Sequence, residues 1–199
     1  NVMSNYSYFH IPQFIVSLGD NFYENGVKDI HDTKWDTAWY SMFIKPYPQL
    51  KYMKWFSILG NHDYGGGVNS VLAEIEMTQH CNNWVMPNYE YFSYDELSNS
   101  YHIFLDTIKI YPELYDNTKQ LYKNHKSVIK DSLLFLENCL IDAKNKNSRW
   151  IFVYGHYHIL SNGYYGNYKR MIERLFRLLK QYKVDVYFSG HEHNFQFMK

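Results

Sequence analysis

Four short apolar runs, each ended by a glycine and then by polar residues, form the main pattern of the chain. The runs occupy residues 13–18, 55–59, 149–154 and 184–189, and the glycines that end them are at 19, 60, 155 and 190. Short runs rich in branched and aromatic residues are typical of buried strands. The pattern therefore predicts four strands of one sheet whose polar loops gather at one edge, where open α/β sheets bind ligands.

Helical periodicity occurs between and after these runs. Apolar residues recur at helical spacing in four segments, at residues 33–44 (capped by Asp32), 69–78 (capped by Asn69), 127–142 and 168–181. Residues 89–93 and 101–106 predict a hairpin around a polar turn, whereas residues 110–124 lack periodicity and are interpreted as a loop bordering the site. We expect an α/β fold in which residues 1–199 form one domain.

Composition excludes several functional classes without choosing one. The 199 residues are 46% apolar with a formal net charge of zero, which is typical of a globular protein with one core and gives no electrostatic basis for binding nucleic acid. No apolar run approaches the ~18 residues of a membrane span. The two cysteines, Cys81 and Cys139, could form one disulfide or remain free, so they do not identify the redox compartment.

A glycosylation-like triplet and a high tyrosine content are two further features of the sequence. The triplet Asn5-Tyr6-Ser7 matches a glycosylation acceptor and weakly supports a secretory route. The chain has 21 tyrosines, several of them at residues 164–168, and we interpret this richness as base composition because no basic groove accompanies the rings.

The loops after the four strands carry the candidate chemistry. They hold a carboxylate, a phenol, an amide and imidazoles: Asp20, Tyr23, Asn61, His62, His156, His191 and His193. Any one alone is more simply a turn, cap or core residue, but their shared position favours metal binding, and the mixture suits two ions better than one. Asp20 is suited to bridge two ions about 3.5–4 Å apart. Tyr23 favours Fe(III), because a phenolate needs a strongly acidic ion; the alternative is a buried tyrosine in a zinc or manganese enzyme.

Four motifs carry a family resemblance. GDNFY at 19–23, GNHD at 60–63, VYGH at 153–156 and GHEH at 190–193 resemble four of the five ordered motifs of the purple acid phosphatases, which belong to the calcineurin-like metallophosphoesterases. GVKDI at 26–30 and HNFQ at 193–196 are similar to the small tartrate-resistant type. The resemblance implies a four-layer αββα sandwich with two mixed sheets.

The resemblance also implies roles for the loop residues. Tyr23 and His193 would hold Fe(III), Asp20 would bridge, and a divalent ion, Fe(II), Zn(II) or Mn(II), would be held by the remaining three ligands, Asn61, His156 and His191. A metal-activated hydroxide would attack a phosphomonoester, and His62 would orient the phosphate or protonate the leaving alkoxide, or else only support a ligand.

The sequence departs from the family pattern in two ways. The family's first motif, Gly-Asp-x-Gly, has no match in residues 1–20, and the chain stops at Lys199 soon after the last motif. We therefore expect a fragment truncated at both ends, without the first strand and the C-terminal strands. His158 stands where the animal enzymes usually have proline, and either contacts phosphate or has a structural role.

The expected protein is a monomeric acid phosphatase, secreted or lumenal (lysosome-like or vacuole-like) by resemblance only. The alternative is a phosphatase-like scaffold or membrane anchor related to the apicomplexan gliding-motor anchor. A phosphodiesterase of the wider group is disfavoured by Tyr23, which is not a metal ligand in those enzymes.

Overall fold

The computed structural model describes residues 5, 10, 12–122 and 124–199. Tyr6 and Ser7 of the glycosylation triplet lie outside them. The strands are β1 (Phe14–Ser17), β2 (Lys54–Ser57), β3 (Trp84–Val85), β4 (Tyr91–Asp95), β5 (Ser100–Phe104), β6 (Trp150–Gly155) and β7 (Val186–Ser189). The helices are α1 (Trp35–Ile44), α2 (Val68–His80), α3 (Thr107–Ile110), α4 (Asp116–Leu121), α5 (His125–Asn145), α6 (Lys169–Met171) and α7 (Arg177–Gln181), and a π-type turn at Ile172–Phe176 joins the last two.

The strands form two sheets. The first has the order β1-β2-β3 and the second β4-β5-β6-β7. The prediction that all four polar loops follow strands of one sheet is therefore wrong: β1 and β2 belong to the first sheet, and β6 and β7 to the second. Apolar runs indicate that strands are buried but not which strands pair, and here the hairpin β4–β5 begins a new sheet.

The direction of the strands also refines the expectation of two mixed sheets. The described strands of the first sheet are all parallel, because helical segments connect them. The second sheet is mixed, since β4 and β5 are antiparallel whereas β5, β6 and β7 are parallel.

The two sheets pack face to face between helices, in the expected αββα order. On the inner faces Phe14 meets His102 at a ring distance of 5.3 Å, and Phe56 stacks on Phe104 at 5.2 Å. On the outer face of the first sheet, Trp55 of β2 meets Trp39 of α1 at a ring distance of 6.0 Å. On the outer face of the second sheet, Tyr101 donates a hydrogen bond of 2.9 Å to Asp142 of α5. Alternate residues of each strand thus serve two interfaces.

Tryptophans fill the outer core of the first sheet. Trp84 contacts Trp35 at 5.0 Å and Trp39 at 5.4 Å, and its indole N–H donates to the carbonyl of Glu74. Trp84 also lies 5.9 Å from Phe22, which belongs to the loop after β1. The aromatic core therefore fixes the first polar loop as well as the helices.

Most predicted elements are confirmed, with two differences. The predicted loop at 110–124 contains the helix α4, which is too short to show a periodicity. Strand β3 has two residues and lacks a run that could predict it. Both cysteines are free. Within the described ranges, no helix is long and apolar enough to cross a membrane.

Replacing the central tryptophan tests this core. Trp84 is 1% exposed, so Trp84→Ala should lower the free energy of unfolding by about 3–5 kcal/mol, measured by urea denaturation. Trp150→Ala is the matched control, because Trp150 is 41% exposed; we expect a change below about 1 kcal/mol. Equal losses in the two variants would contradict the packing described.

Candidate two-metal site

Asp20 lies where the loops of both sheets meet. Its backbone is left-handed, with φ of 53°, and its Oδ1 accepts a 2.9 Å hydrogen bond from the backbone N–H of His62. A Cβ at position 60 would overlap this carboxylate, so only glycine allows the second loop to approach so closely. The glycine that ends β2 is thus required by the site as well as by the turn.

Three side chains, one of them Asp20, gather around Nε2 of His156. Nε2 of His156 lies 3.1 Å from Oδ1 of Asn61, 3.2 Å from Nδ1 of His191 and 3.4 Å from Oδ1 of Asp20. The other nitrogen of His156, Nδ1, donates a 2.7 Å hydrogen bond to the carbonyl of Leu18. In the neutral ring this bond holds the proton on Nδ1, which leaves the lone pair of Nε2 directed into the cluster.

Two further residues continue from the other oxygen of Asp20, the second of them through the first. The hydroxyl of Tyr23 lies 3.2 Å from Oδ2 of Asp20 and 3.2 Å from Nε2 of His193. Tyr23 is half-exposed, 47% by area, and packs its ring against that of His62 at 4.4 Å. The structure therefore brings all six predicted ligands together, in two clusters that share Asp20.

The donor atoms fit metal ions. Asp20, His156 and His191 each offer one ligand atom, and these atoms lie within 4.8 Å of one another. With His156 neutral, the lone pair of its Nε2 faces two acceptor oxygens, Oδ1 of Asn61 and Oδ1 of Asp20. Acceptors that face acceptors in a buried site repel unless a cation lies between them.

The electrostatics agree with that fit. Burial alone would raise the pKa of Asp20, but its contacts with the ring of His156 and with the N–H of His62 lower this pKa to about 2, so the carboxylate is charged and able to ligate. Burial and the neighbouring His156 lower the pKa of His191 to about 3, so this imidazole is neutral and able to ligate. Burial and the charge of Asp20 raise the pKa of Tyr23 to about 12. Only a strongly acidic ion would convert this phenol to phenolate.

The buried side chain of Asp63 joins the first two polar loops. The sequence pattern did not assign it a role. Asp63 accepts hydrogen bonds from the backbone N–H of Phe22 at 3.2 Å and of Gly60 at 2.8 Å. Burial raises its pKa to about 6, and that of its neighbour Glu74 well above the ordinary value. Asn21 donates to Glu74 at 2.9 Å. These contacts fix the loops that carry Asp20 and Asn61.

Tyrosines surround His191 on the opposite side of its ring from His156. Nε2 of His191 lies 3.0 Å from the hydroxyl of Tyr115 and 3.1 Å from that of Tyr168, and the ring of Tyr165 stacks on it at 4.7 Å. The expectation that the 110–124 segment borders the site is confirmed through Tyr115. The interpretation of residues 164–168 as composition alone is wrong. Their position directly after the His156 loop was the signal available in the sequence.

A pocket of about 300 Å³ opens onto this site. Its lining residues are Asp20, Glu24, Asn25, Asn61, His62, Gly65, Tyr115, Tyr165, His191 and His193. Nδ1 of His62 donates a 2.6 Å hydrogen bond to the carbonyl of Glu24, so Nε2 is the nitrogen left for a ligand.

His158 does not line the pocket. It is buried, stacks on Tyr168 at 4.2 Å and donates to the carbonyl of Gly166, which favours its structural alternative.

Comparisons with known proteins agree with this geometry. The family model for calcineurin-like phosphoesterases matches residues 5–195. Purple acid phosphatase 17 of Arabidopsis thaliana is 32% identical over 93% of this chain and 54% of its own length. Human tartrate-resistant acid phosphatase type 5 is 30% identical over 94% of the chain and 57% of its own length. The chain thus spans just over half the length of these curated relatives.

A solved structure is similar as well. GAP50, described as the anchor in the inner membrane complex of Plasmodium, superposes with a TM-score of 0.78 at 29% identity, covering 96% of this chain and 59% of the other. The fold is therefore shared between relatives named as phosphatases and one named as an anchor.

Replacing one acceptor oxygen of Asp63 tests its role in the site. Asp63→Asn keeps the shape but turns an amide NH₂ toward one of the two backbone N–H donors. We expect the free energy of unfolding to fall by about 1–3 kcal/mol, and the affinity for Zn(II) to fall about 10- to 100-fold, measured by titration calorimetry. The control is Asp131→Asn, an exposed position on α5. Unchanged metal affinity in Asp63→Asn would contradict the role assigned to Asp63.

Proposed function

Because the chain belongs to the calcineurin-like phosphoesterase family, we propose that it hydrolyses phosphomonoesters at a two-metal site, as an acid phosphatase of the purple type. One observation carries the proposal. Oδ1 of Asp20 faces the cluster around His156, at 3.4 Å, while Oδ2 faces the cluster around Tyr23, at 3.2 Å. A carboxylate placed in this way can bridge two ions.

The chemistry of the clusters supports an assignment of the metals. The pair Tyr23 and His193 combines a phenol with an exposed imidazole and suits Fe(III), because the raised pKa of Tyr23 requires a strongly acidic ion. The amide and imidazoles of Asn61, His156 and His191 suit a divalent ion, Fe(II), Zn(II) or Mn(II). When bound, such ions supply charge neutralisation for phosphate and a water acidified to act as the nucleophile.

The protein's own groups bind and orient the ester. His62 lines the pocket together with Asp20 and His193, and a proton held on its Nε2 would be available to the oxygen of the leaving group. The hydrogen bond from Nδ1 of His62 to the carbonyl of Glu24 fixes the ring for this transfer. As the phosphorus–oxygen bond breaks, the proton on Nε2 passes to the departing alkoxide.

A second candidate is a scaffold without turnover. The similarity to the Plasmodium anchor, at a TM-score of 0.78, favours it. The two candidates differ in what they require, since a scaffold needs neither bound metal nor a pocket. A secreted or lumenal location belongs to the first proposal, by resemblance to the family.

Counting metals distinguishes these candidates. Purified protein loaded with iron and zinc should bind two ions and hydrolyse phenyl phosphate at mildly acidic pH. Asp20→Asn should lose both ions, measured by atomic emission, and reduce turnover by more than about 100-fold. Asp36→Asn, at an exposed position of α1, should change neither. If the unmutated protein binds no metal and shows no turnover, the scaffold is favoured.

A spectrum tests the ferric assignment. Tyr23→Phe should abolish the visible charge-transfer band of the iron-loaded protein and reduce turnover less than Asp20→Asn does, because Tyr23 serves one ion and Asp20 both. Tyr52→Phe is the control, since Tyr52 is 85% exposed. Two bound metals without a visible band in the unmutated protein would rule out a ferric tyrosinate.

A further inference from the structure

The segment 161–168, here called the tyrosine loop, is held against the site by hydrogen bonds to Glu192. Oε2 of Glu192 accepts hydrogen bonds from Oγ of Ser161 at 2.8 Å and from the backbone N–H of Tyr165 at 3.0 Å, and Oε1 accepts from the N–H of Tyr164 at 3.1 Å. Glu192 lies between His191 and His193 in the sequence. The residue that separates two candidate ligands thus also positions this loop.

Other contacts hold the ends of the tyrosine loop. The amide of Gln196 accepts from the N–H of Asn162 at 2.8 Å and donates to Oγ of Ser161 at 2.9 Å. At the other end His158 bonds to the Gly166 carbonyl and stacks on Tyr168. A Cβ at Gly163 would overlap the carboxyl group of Glu192, so the loop lies against it closely. A loop held at so many points can present a side chain in one fixed orientation.

The side chain presented to the pocket is Tyr165. Its ring lies nearly parallel to that of His191, at 25° and 4.7 Å, and 44% of the residue remains exposed. Tyr115 lines the same pocket. The two phenol rings give the pocket an aromatic wall next to the position where the phosphate would bind. Such a wall favours flat rings, because aromatic pairs attract beyond their burial of area.

The charges around the pocket oppose a second phosphate. Among the described residues that line it, none is lysine or arginine, whereas Asp20 and Glu24 are acidic. A diphosphate or nucleoside polyphosphate needs cations for its additional charges. A neutral aromatic leaving group needs none.

We propose that Tyr165, positioned by Glu192, makes the site selective for phosphomonoesters with a flat aromatic leaving group. The proposal rests on the phosphomonoesterase function proposed above. It assigns substrate selection to a residue outside the metal clusters, so that selection and metal binding can be altered separately.

Binding of two phosphonates tests the wall directly. Calorimetry on the metal-loaded protein compares phenylphosphonate with methylphosphonate, neither of which is hydrolysed. We expect phenylphosphonate to bind more tightly, and Tyr165→Ala to weaken its binding by about two- to tenfold while methylphosphonate is unaffected. Tyr165→Phe should keep the preference, and Tyr52→Ala is the control, since Tyr52 is 85% exposed and does not line the pocket.

Kinetics separate the failure of this inference from that of the function. For phenyl phosphate KM should rise in Tyr165→Ala by the same factor, whereas KM for glycerol phosphate should stay constant. Ser161→Ala, which removes one hydrogen bond to Glu192, should shift the same ratio in the same direction. Equal effects on both esters, or faster hydrolysis of pyrophosphate than of phenyl phosphate, would overturn the selectivity. No turnover of any ester would overturn the function itself and this inference with it.

Discussion

The carboxylate of Asp20 has to face two groups of side chains at once, and its surroundings hold it in one orientation for that purpose. A left-handed φ of 53° is unfavourable for any residue with a Cβ, although aspartate tolerates it better than most. The N–H of His62 and the absence of a side chain at Gly60 offset this strain. If the carboxylate turned away, each cluster would lose its shared member, so the geometry of both depends on this one backbone conformation.

In each sheet, a buried polar group behind the loops holds the backbone of the residues that those loops contribute to the site. Asp63 joins the two loops of the first sheet through backbone N–H groups. In the second sheet, Oγ1 of Thr107 accepts from the N–H of His156 at 3.1 Å and of Tyr157 at 2.8 Å. Asp106 beside it caps α3 through the N–H of Ile108 and is buried. Buried polar groups are tolerated when hydrogen-bonded, and here their bonds fix the backbones that carry the candidate ligands.

Local sequence patterns predicted the parts of the fold that depend on local chemistry. Each of the four apolar runs that end at a glycine forms a strand followed by a loop. Asp20, Asn61, His156 and His191 could therefore be placed at strand ends without knowing how the strands pair. Pairing depends on contacts between distant segments, and for that reason the division into two sheets was missed. The two-residue strand β3 was missed because its neighbours, not its own sequence, make it a strand. Tyr165 was undervalued because its role depends on Glu192, 27 residues away in the sequence.

The buried polar groups around Asp20 are also relevant to whether this fold serves catalysis or docking. A similar fold occurs in relatives named as phosphatases and in one named as an anchor, so fold alone does not decide. A docking surface has no need of acceptors facing acceptors, of a buried acid such as Asp63 with its pKa raised to about 6, or of tyrosine hydroxyls at Nε2 of His191. The facing acceptors in particular lower stability unless a cation lies between them. The presence of all these features together, around one carboxylate with two directed oxygens, supports the enzyme over the scaffold.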